Sequence, residues 1–209
     1  MRYLFENLPQ VLVLFGQHLR LTAITLAIAM LIALPLGVLL ARVRWLRGPV
    51  LGVLNVVYTI PSLSLFVLLI PLFGLGMAPA VVALVAYTQF ALVRNWVLGL
   101  TTIEPGIIEA AKGMGMNSWQ RFWQVEFPLA LPLLIAGVRL AVLTTIGIGT
   151  IAAFINAGGL GTLLFEGVIT ANYQKIIAGG LVVTLFAITA NYGLRLFERQ
   201  AERRIRGID

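Results

Sequence analysis

A single histidine, no cysteine and eight carboxylates spread over 209 residues leave little material for catalysis. His18 has no acid or nucleophile beside it in sequence, so it reads as a surface residue of the polar amino-terminal segment rather than a catalyst. No group of His, Cys, Asp and Glu has metal-ligand spacing, so no metal is expected. The phosphate-cradling pattern G-x-x-x-x-G-K-[ST] is absent. Gly113-Met114-Gly115 lacks the third glycine, the preceding strand and the acidic partner of a dinucleotide loop. An enzyme is therefore not expected. Binding and passage remain.

Passage would use polar groups inside apolar stretches, because such groups need neighbours or a water-filled path. Tyr58, Thr59, Ser62 and Ser64 surround Pro61, which removes one backbone donor and disturbs the helix around it. Irregular backbone at membrane depth is tolerated only where protein or water satisfies it. Tyr87, Thr88, Gln89 and Asn95 form a second polar group. For both, a translocation path and interhelical packing are equally open. Arg139 reads as a snorkelling or paired arginine ahead of a substrate contact. Thr144, Thr145, Gly147, Gly149 and Thr150 form a small-residue stripe suited to close helix approach.

One long polar interruption organises the rest, from Leu100 to Pro128. Pro105 suits the first turn of a helix, where its missing N–H has no partner to lose. Ile107, Ala110, Ala111 and Met114 then recur at helical spacing. Gly115 suits the left-handed conformation that closes a helix. Asn117 is placed to cap a second short helix, with Gln120 as its capping-box partner. Trp119, Phe122 and Trp123 give that helix a large apolar face. The expected product is a helix–turn–helix elbow with a small apolar tip.

These features need a scaffold, and composition says which. The chain is 60% hydrophobic and 11% charged, with a mean hydropathy of +0.98. That is an all-α integral membrane protein. A net charge of +7 would suggest nucleic acid in a soluble protein. Here the basic residues cluster between apolar runs, as membrane orientation requires, so lipid and not nucleic acid is the expected surroundings.

Residues 1–20 read as an amphipathic segment lying on the membrane or against the first span, with a further short span as the weaker alternative. Five spans then follow within residues 21–198: Leu21 to Ala41, two between Gly48 and Val93 broken at Gly74 to Pro79, Pro132 to Phe154, and Ile176 to Leu194. Asn156 opens a loop that continues to Lys175. Arg42, Arg44, Arg47, Lys112, Arg121 and the basic tail over 199–209 place the elbow (100–128) and the carboxyl terminus inside and the amino terminus outside.

Glu109-Ala110-Ala111, Gly115 and Val125-Glu126-Phe127-Pro128, at their spacing, resemble the signature of permease subunits of bacterial ATP-binding-cassette importers. Phe127 stands where leucine is usual. The resemblance implies the type I importer permease fold, a bacterial inner-membrane location and a coupling helix that docks on a separate ATPase. It implies coupling roles for Glu109, Ala110, Ala111, Gly113, Gly115 and Met116, with Glu109 as an anchoring carboxylate and Gly115 as the turn. It leaves Tyr58, Pro61, Ser62, Ser64, Tyr87 and Gln89 as path candidates.

Ile60-Pro61-Ser62-Leu63-Ser64-Leu65, Val93-Arg94-Asn95, Ala136-Gly137-Val138-Arg139 and Gly158-Gly159-Leu160-Gly161 further resemble the osmoprotectant branch, which imports glycine betaine, choline or carnitine. An amino-acid permease of the methionine-importer kind is the alternative within the class. An ATP-independent channel or secondary transporter is the alternative outside it. The implied partners are two copies of an ATPase carrying ATP and Mg, a second permease chain and an extracytoplasmic binding protein. No cofactor is expected on this chain itself.

Overall fold

A computed structural model describes residues 2–206, the side chains at 2, 5 and 204–206 excepted. Residues 207–209 of the basic tail, and the side chains of Arg204 and Arg206, thus lie outside the described residues. The described residues form helices and no strand. In order these are α1 (Arg2–Glu6), α2 (Leu8–Arg42), α3 (Arg44–Thr59), α4 (Ser62–Phe73), α5 (Met77–Thr101), α6 (Pro105–Gly113), α7 (Ser118–Arg121), α8 (Phe127–Ile151), α9 (Gly161–Ile169) and α10 (Tyr173–Arg206). A π-helical turn at Phe122–Glu126 leads into α8, and a 3-10 turn at Ala152–Ile155 leaves it.

Four helical stretches are long and apolar enough to cross a membrane: Leu8–Arg42, Met77–Thr101, Ser118–Ile155 and Tyr173–Arg203. A fifth is formed only if α3 and α4 are taken as one span, and these two meet at a bend of 97°. The second expected span is therefore broken, and Pro61 stands at the break rather than inside a continuous helix.

Lipid tails are as apolar as leucine, so these helices gain little from burying apolar surface against one another; close packing holds them instead. Small residues make that packing close. A side chain at Gly37 of α2 would start 2.4 Å from the Cβ of Trp96 on α5. Gly99 of α5 fits against Ala130 of α8, and Gly137 of α8 against Asn95 of α5. Helix α5 is thereby enclosed between α2 and α8, with Leu84, Leu92 and Val93 fully buried.

Three sequence expectations need correction. Residues 8–20 are not a segment apart from the first span: α2 runs unbroken from Leu8 to Arg42, with the short α1 before it. At 1.5 Å per residue, its 35 residues reach about 52 Å, well beyond a hydrocarbon core of about 30 Å. Periodicity marked the part inside the membrane and missed the continuation beyond it. His18 is not a surface residue either, but fully buried. Finally, the loop expected from Asn156 to Lys175 contains α9.

Candidate functional site

The elbow is built by local rules. Pro105 opens α6 in its first turn. The helix closes with the Met116 N–H donating to the Ala111 carbonyl at 3.2 Å and the Gly115 N–H to the Lys112 carbonyl at 2.9 Å. This paired closure needs a left-handed residue, and Gly115 supplies it at φ 80°. Asn117 then caps α7: its side-chain oxygen accepts from the Trp119 and Gln120 backbone N–H groups, and the Gln120 side chain accepts from the Asn117 N–H. The turn is thus held by hydrogen bonds among its own neighbouring residues.

The residues expected to couple fall into two sets. Glu109, Ala110, Gly113 and Gly115 are exposed, Met116 is half-buried, and Ala111 is buried beneath the helix. Ile107 and Met114 are exposed beside them, Met114 at 70%. The tip therefore offers apolar surface with one carboxylate at its edge. Glu109 makes no ion pair among the described residues.

The carboxylate that anchors the elbow within this chain is Glu126, which the sequence reading passed over. It accepts from Arg42 at 2.6 Å and from Arg121 at 2.8 Å, and its side chain is only 8% exposed. The π-helical turn rotates it inward, between the end of α2 and the start of α8. Arg47 closes the same corner by donating to the Leu40 and Ala41 carbonyls at the end of α2. A signal was available: a glutamate immediately before a long apolar helix is costly unless paired, and Arg42 ends another such helix. Around this clamp Trp119, Phe122, Trp123 and Phe127 pack ring on ring.

The path candidates scatter. At the α3–α4 break, the Ile60 carbonyl has left the helix and accepts from the Tyr87 hydroxyl. Tyr87 is thus a buried support for the bend. Gln89 is buried at the α2–α5 contact and donates to the Ala29 carbonyl at 3.0 Å, which is interhelical packing. Pro61 and Ser64 are exposed and Ser62 half-buried; Ser64 lines a shallow groove with Leu63, Val67 and Leu68. Tyr58 is 43% exposed and packs on Phe90, their centroids 5.4 Å apart. Both rings border a cavity of about 340 Å³ with Arg94, Asn95, Leu140 and Thr144.

At the opposite end of the bundle from the elbow, His18 sits between α8 and the glycine-rich turn. Its Nε2 lies 3.2 Å from the Ile146 carbonyl, and Gly149 and Gly159 leave the room it occupies. The neighbouring Gln17 accepts from the Gly159 N–H at 2.9 Å. The small-residue stripe accordingly divides: Gly149 faces His18, the Thr150 backbone abuts Gly161, Thr145 is buried, and Thr144 lines the cavity. Arg139 pairs with Glu198 at 3.1 Å and donates to Asn191 at 3.3 Å, tying α8 to α10.

Known proteins resemble this chain in sequence and in fold. Residues 33–207 match the family described as binding-protein-dependent transport system inner membrane component. The chain belongs to that family. It is a membrane-embedded permease subunit of a transport system. It is 44% identical to the osmoprotectant import permease protein OsmW of Salmonella typhimurium over 91% of each chain. It is 38% identical to the glycine betaine/carnitine/choline transport system permease protein OpuCB of Bacillus subtilis, over 96% of this chain and 92% of that one. The permease fold is also that of a chain in an inward-facing crystal structure of the MetNI methionine ABC transporter. That match has a TM-score of 0.83 at 23% identity and covers 96% of this chain and 99% of the other.

Proposed function

We infer that this permease forms the translocation path for a quaternary-amine osmoprotectant such as glycine betaine, carnitine or choline. The identity to osmoprotectant permeases over nearly the whole chain carries this reading, and it favours these ligands over methionine. The likeness to the methionine transporter is one of fold alone.

In this reading the chain pairs with a second permease, the same or homologous. A binding protein delivers ligand from outside. Two ATPase copies, holding ATP and Mg, dock on the elbows from the cytoplasm. The amino terminus then lies outside and the carboxyl terminus inside, as the clustering of Arg42, Arg44, Arg47, Arg121 and the basic tail supports. Glu109 and the exposed Ile107 and Met114 form the docking tip, and Gly115 sets its angle.

Alternating access requires that nucleotide binding favour one arrangement of the permease pair over the other. An elbow clamped through Glu126 to α2, and continuous with α8, moves those helices as it is moved. Uptake of radiolabelled glycine betaine, choline, carnitine and methionine, in cells lacking their own systems, tests the substrate class. Import of a quaternary amine, lost when the ATPase is deleted, is expected. Import of methionine alone would overturn the class, and import without the ATPase would favour a channel or secondary transporter.

A further inference from the structure

Helices α5 and α8 carry one arginine each, and the fold treats them differently. Arg139 has Glu198 and Asn191. Arg94 has neither a hydrogen bond nor an ion pair among the described residues. A charge in a span is costly and is kept where something uses it. Arg94 is exposed on the surface of the single chain. Helix α5 continues for almost two turns beyond it, through Trp96, Val97 and Leu98, toward the elbow. To reach that surface the side chain would have to run forward. It runs backward, and its guanidinium lies 5.7 Å from the centroid of Phe90, one turn earlier. The exposed guanidinium is turned back along α5, toward Phe90.

There it faces the cavity of about 340 Å³, near the small end of ligand pockets at about 300–1,000 Å³. The walls have two chemistries. The lining includes the Arg94 guanidinium and the Asn95 amide, which spends one N–H on the Ala91 carbonyl at 2.8 Å and has a second to give. It also includes the partly exposed ring of Tyr58, edge-on to Tyr87 and tilted against Phe90. A simple cation would be held by the rings and repelled by Arg94. A zwitterion with a carboxylate and a quaternary ammonium can use both chemistries: the carboxylate on the guanidinium, the ammonium on the Tyr58 ring.

We propose that this cavity is a binding station in the path for carboxylate-bearing quaternary amines, with Arg94 holding the carboxylate and Tyr58 the ammonium. The proposal rests on the osmoprotectant reading and sharpens it, separating betaine and carnitine from choline. One guanidinium in a half-open cavity binds weakly, as a path must if the ligand is to leave.

The test is uptake by the complete transporter in liposomes, with binding protein and ATPase present and glycine betaine, carnitine and choline measured in parallel. Arg94→Gln is expected to lower betaine and carnitine uptake by about tenfold or more, the scale of a lost charge-assisted hydrogen bond. Choline uptake is expected to hold or rise. Arg94→Lys should fall between. Tyr58→Leu should reduce all three, and Tyr58→Phe should restore them. An equal loss for choline in Arg94→Gln would overturn the proposal. So would a fall in the thermal midpoint of the assembled complex that accounts for the loss, because Arg94 would then be pairing with another subunit. A wild-type transporter that imports none of the three overturns the substrate class as well. One that imports them with an unchanged betaine-to-choline ratio in Arg94→Gln overturns only the station.

Discussion

Arg42 and Glu126, 84 residues apart in sequence, meet at 2.6 Å and join the end of α2 to the root of the elbow. Arg121 reaches the other oxygen of the same carboxylate at 2.8 Å. The elbow is therefore not a loop hung between two spans. It is fixed to α2 by charge and to α8 by a continuous backbone.

Removing the shared acid should release both arginines, and with Arg42 the tie to α2. Glu126→Ala leaves the part-buried Arg121 without its carboxylate, a change that costs about 3–5 kcal/mol when a buried pair is broken. The expected result is a lower thermal midpoint for the detergent-solubilised transporter and a loss of ligand-stimulated ATP hydrolysis. Glu126→Gln, which keeps an acceptor, should lose less. A Glu126→Ala complex with unaltered midpoint and coupling would contradict the clamp.

The turn at Gly115 makes a second prediction. No atom lies within 4 Å of where a Cβ would stand, so the cost of a substitution is in the backbone at φ 80°. A left-handed conformation costs an ordinary residue about 1–2 kcal/mol. Gly115→Val should lower ligand-stimulated ATP hydrolysis while membrane insertion is retained, and Gly115→Asn, which tolerates that conformation, should lie near wild type. Equal coupling in the valine variant would count against the turn's role.

Tyr87 supports the α3–α4 break through the Ile60 carbonyl. Tyr87→Phe removes the hydroxyl and leaves that carbonyl unserved, at about 1–3 kcal/mol. Faster hydrogen exchange at Ser62 to Leu65 is expected, with exchange over Leu92 to Val97 unchanged. Protection at Ser62 to Leu65 equal to wild type would refute the support.

Close approach at the far end gives a sharper contrast. A side chain at Gly161 would begin 1.9 Å from the Thr150 carbonyl oxygen, whereas Gly16 has nothing within 4 Å. Gly161→Ala should abolish accumulation of folded transporter and Gly16→Ala should leave it unchanged, as read by fluorescence-detected size-exclusion chromatography. A folded Gly161→Ala transporter at wild-type level would contradict the packing.

The elbow was legible because its rules are local: a proline in a first turn, a capping box over four residues, a glycine in the left-handed region. The spans were legible because apolar length is a property of a contiguous stretch. What was not legible is long-range. Nothing in the composition around His18 tells of Ile146, Gly149 and Gly159, all supplied from elsewhere in the chain. Glu126 appeared as one more elbow residue because its partner Arg42 ends a different helix. Gln89 and Tyr87 looked alike as polar residues in a span, and only tertiary contacts separate a helix tie from a bend support. Pro61 marked a disturbed helix, but not the 97° bend between α3 and α4, where the freed Ile60 carbonyl is served by Tyr87 from another helix.

The account stands on the elbow tip facing the cytoplasm and touching an ATPase. The chain has no cysteine, so Met114→Cys places a single thiol at that tip. In intact cells the thiol should resist a membrane-impermeant maleimide. In inverted membrane vesicles it should react, and a short bifunctional reagent should link it to the ATPase subunit. Labelling of intact cells, or failure to link to any ATPase in the assembled transporter, would contradict the account.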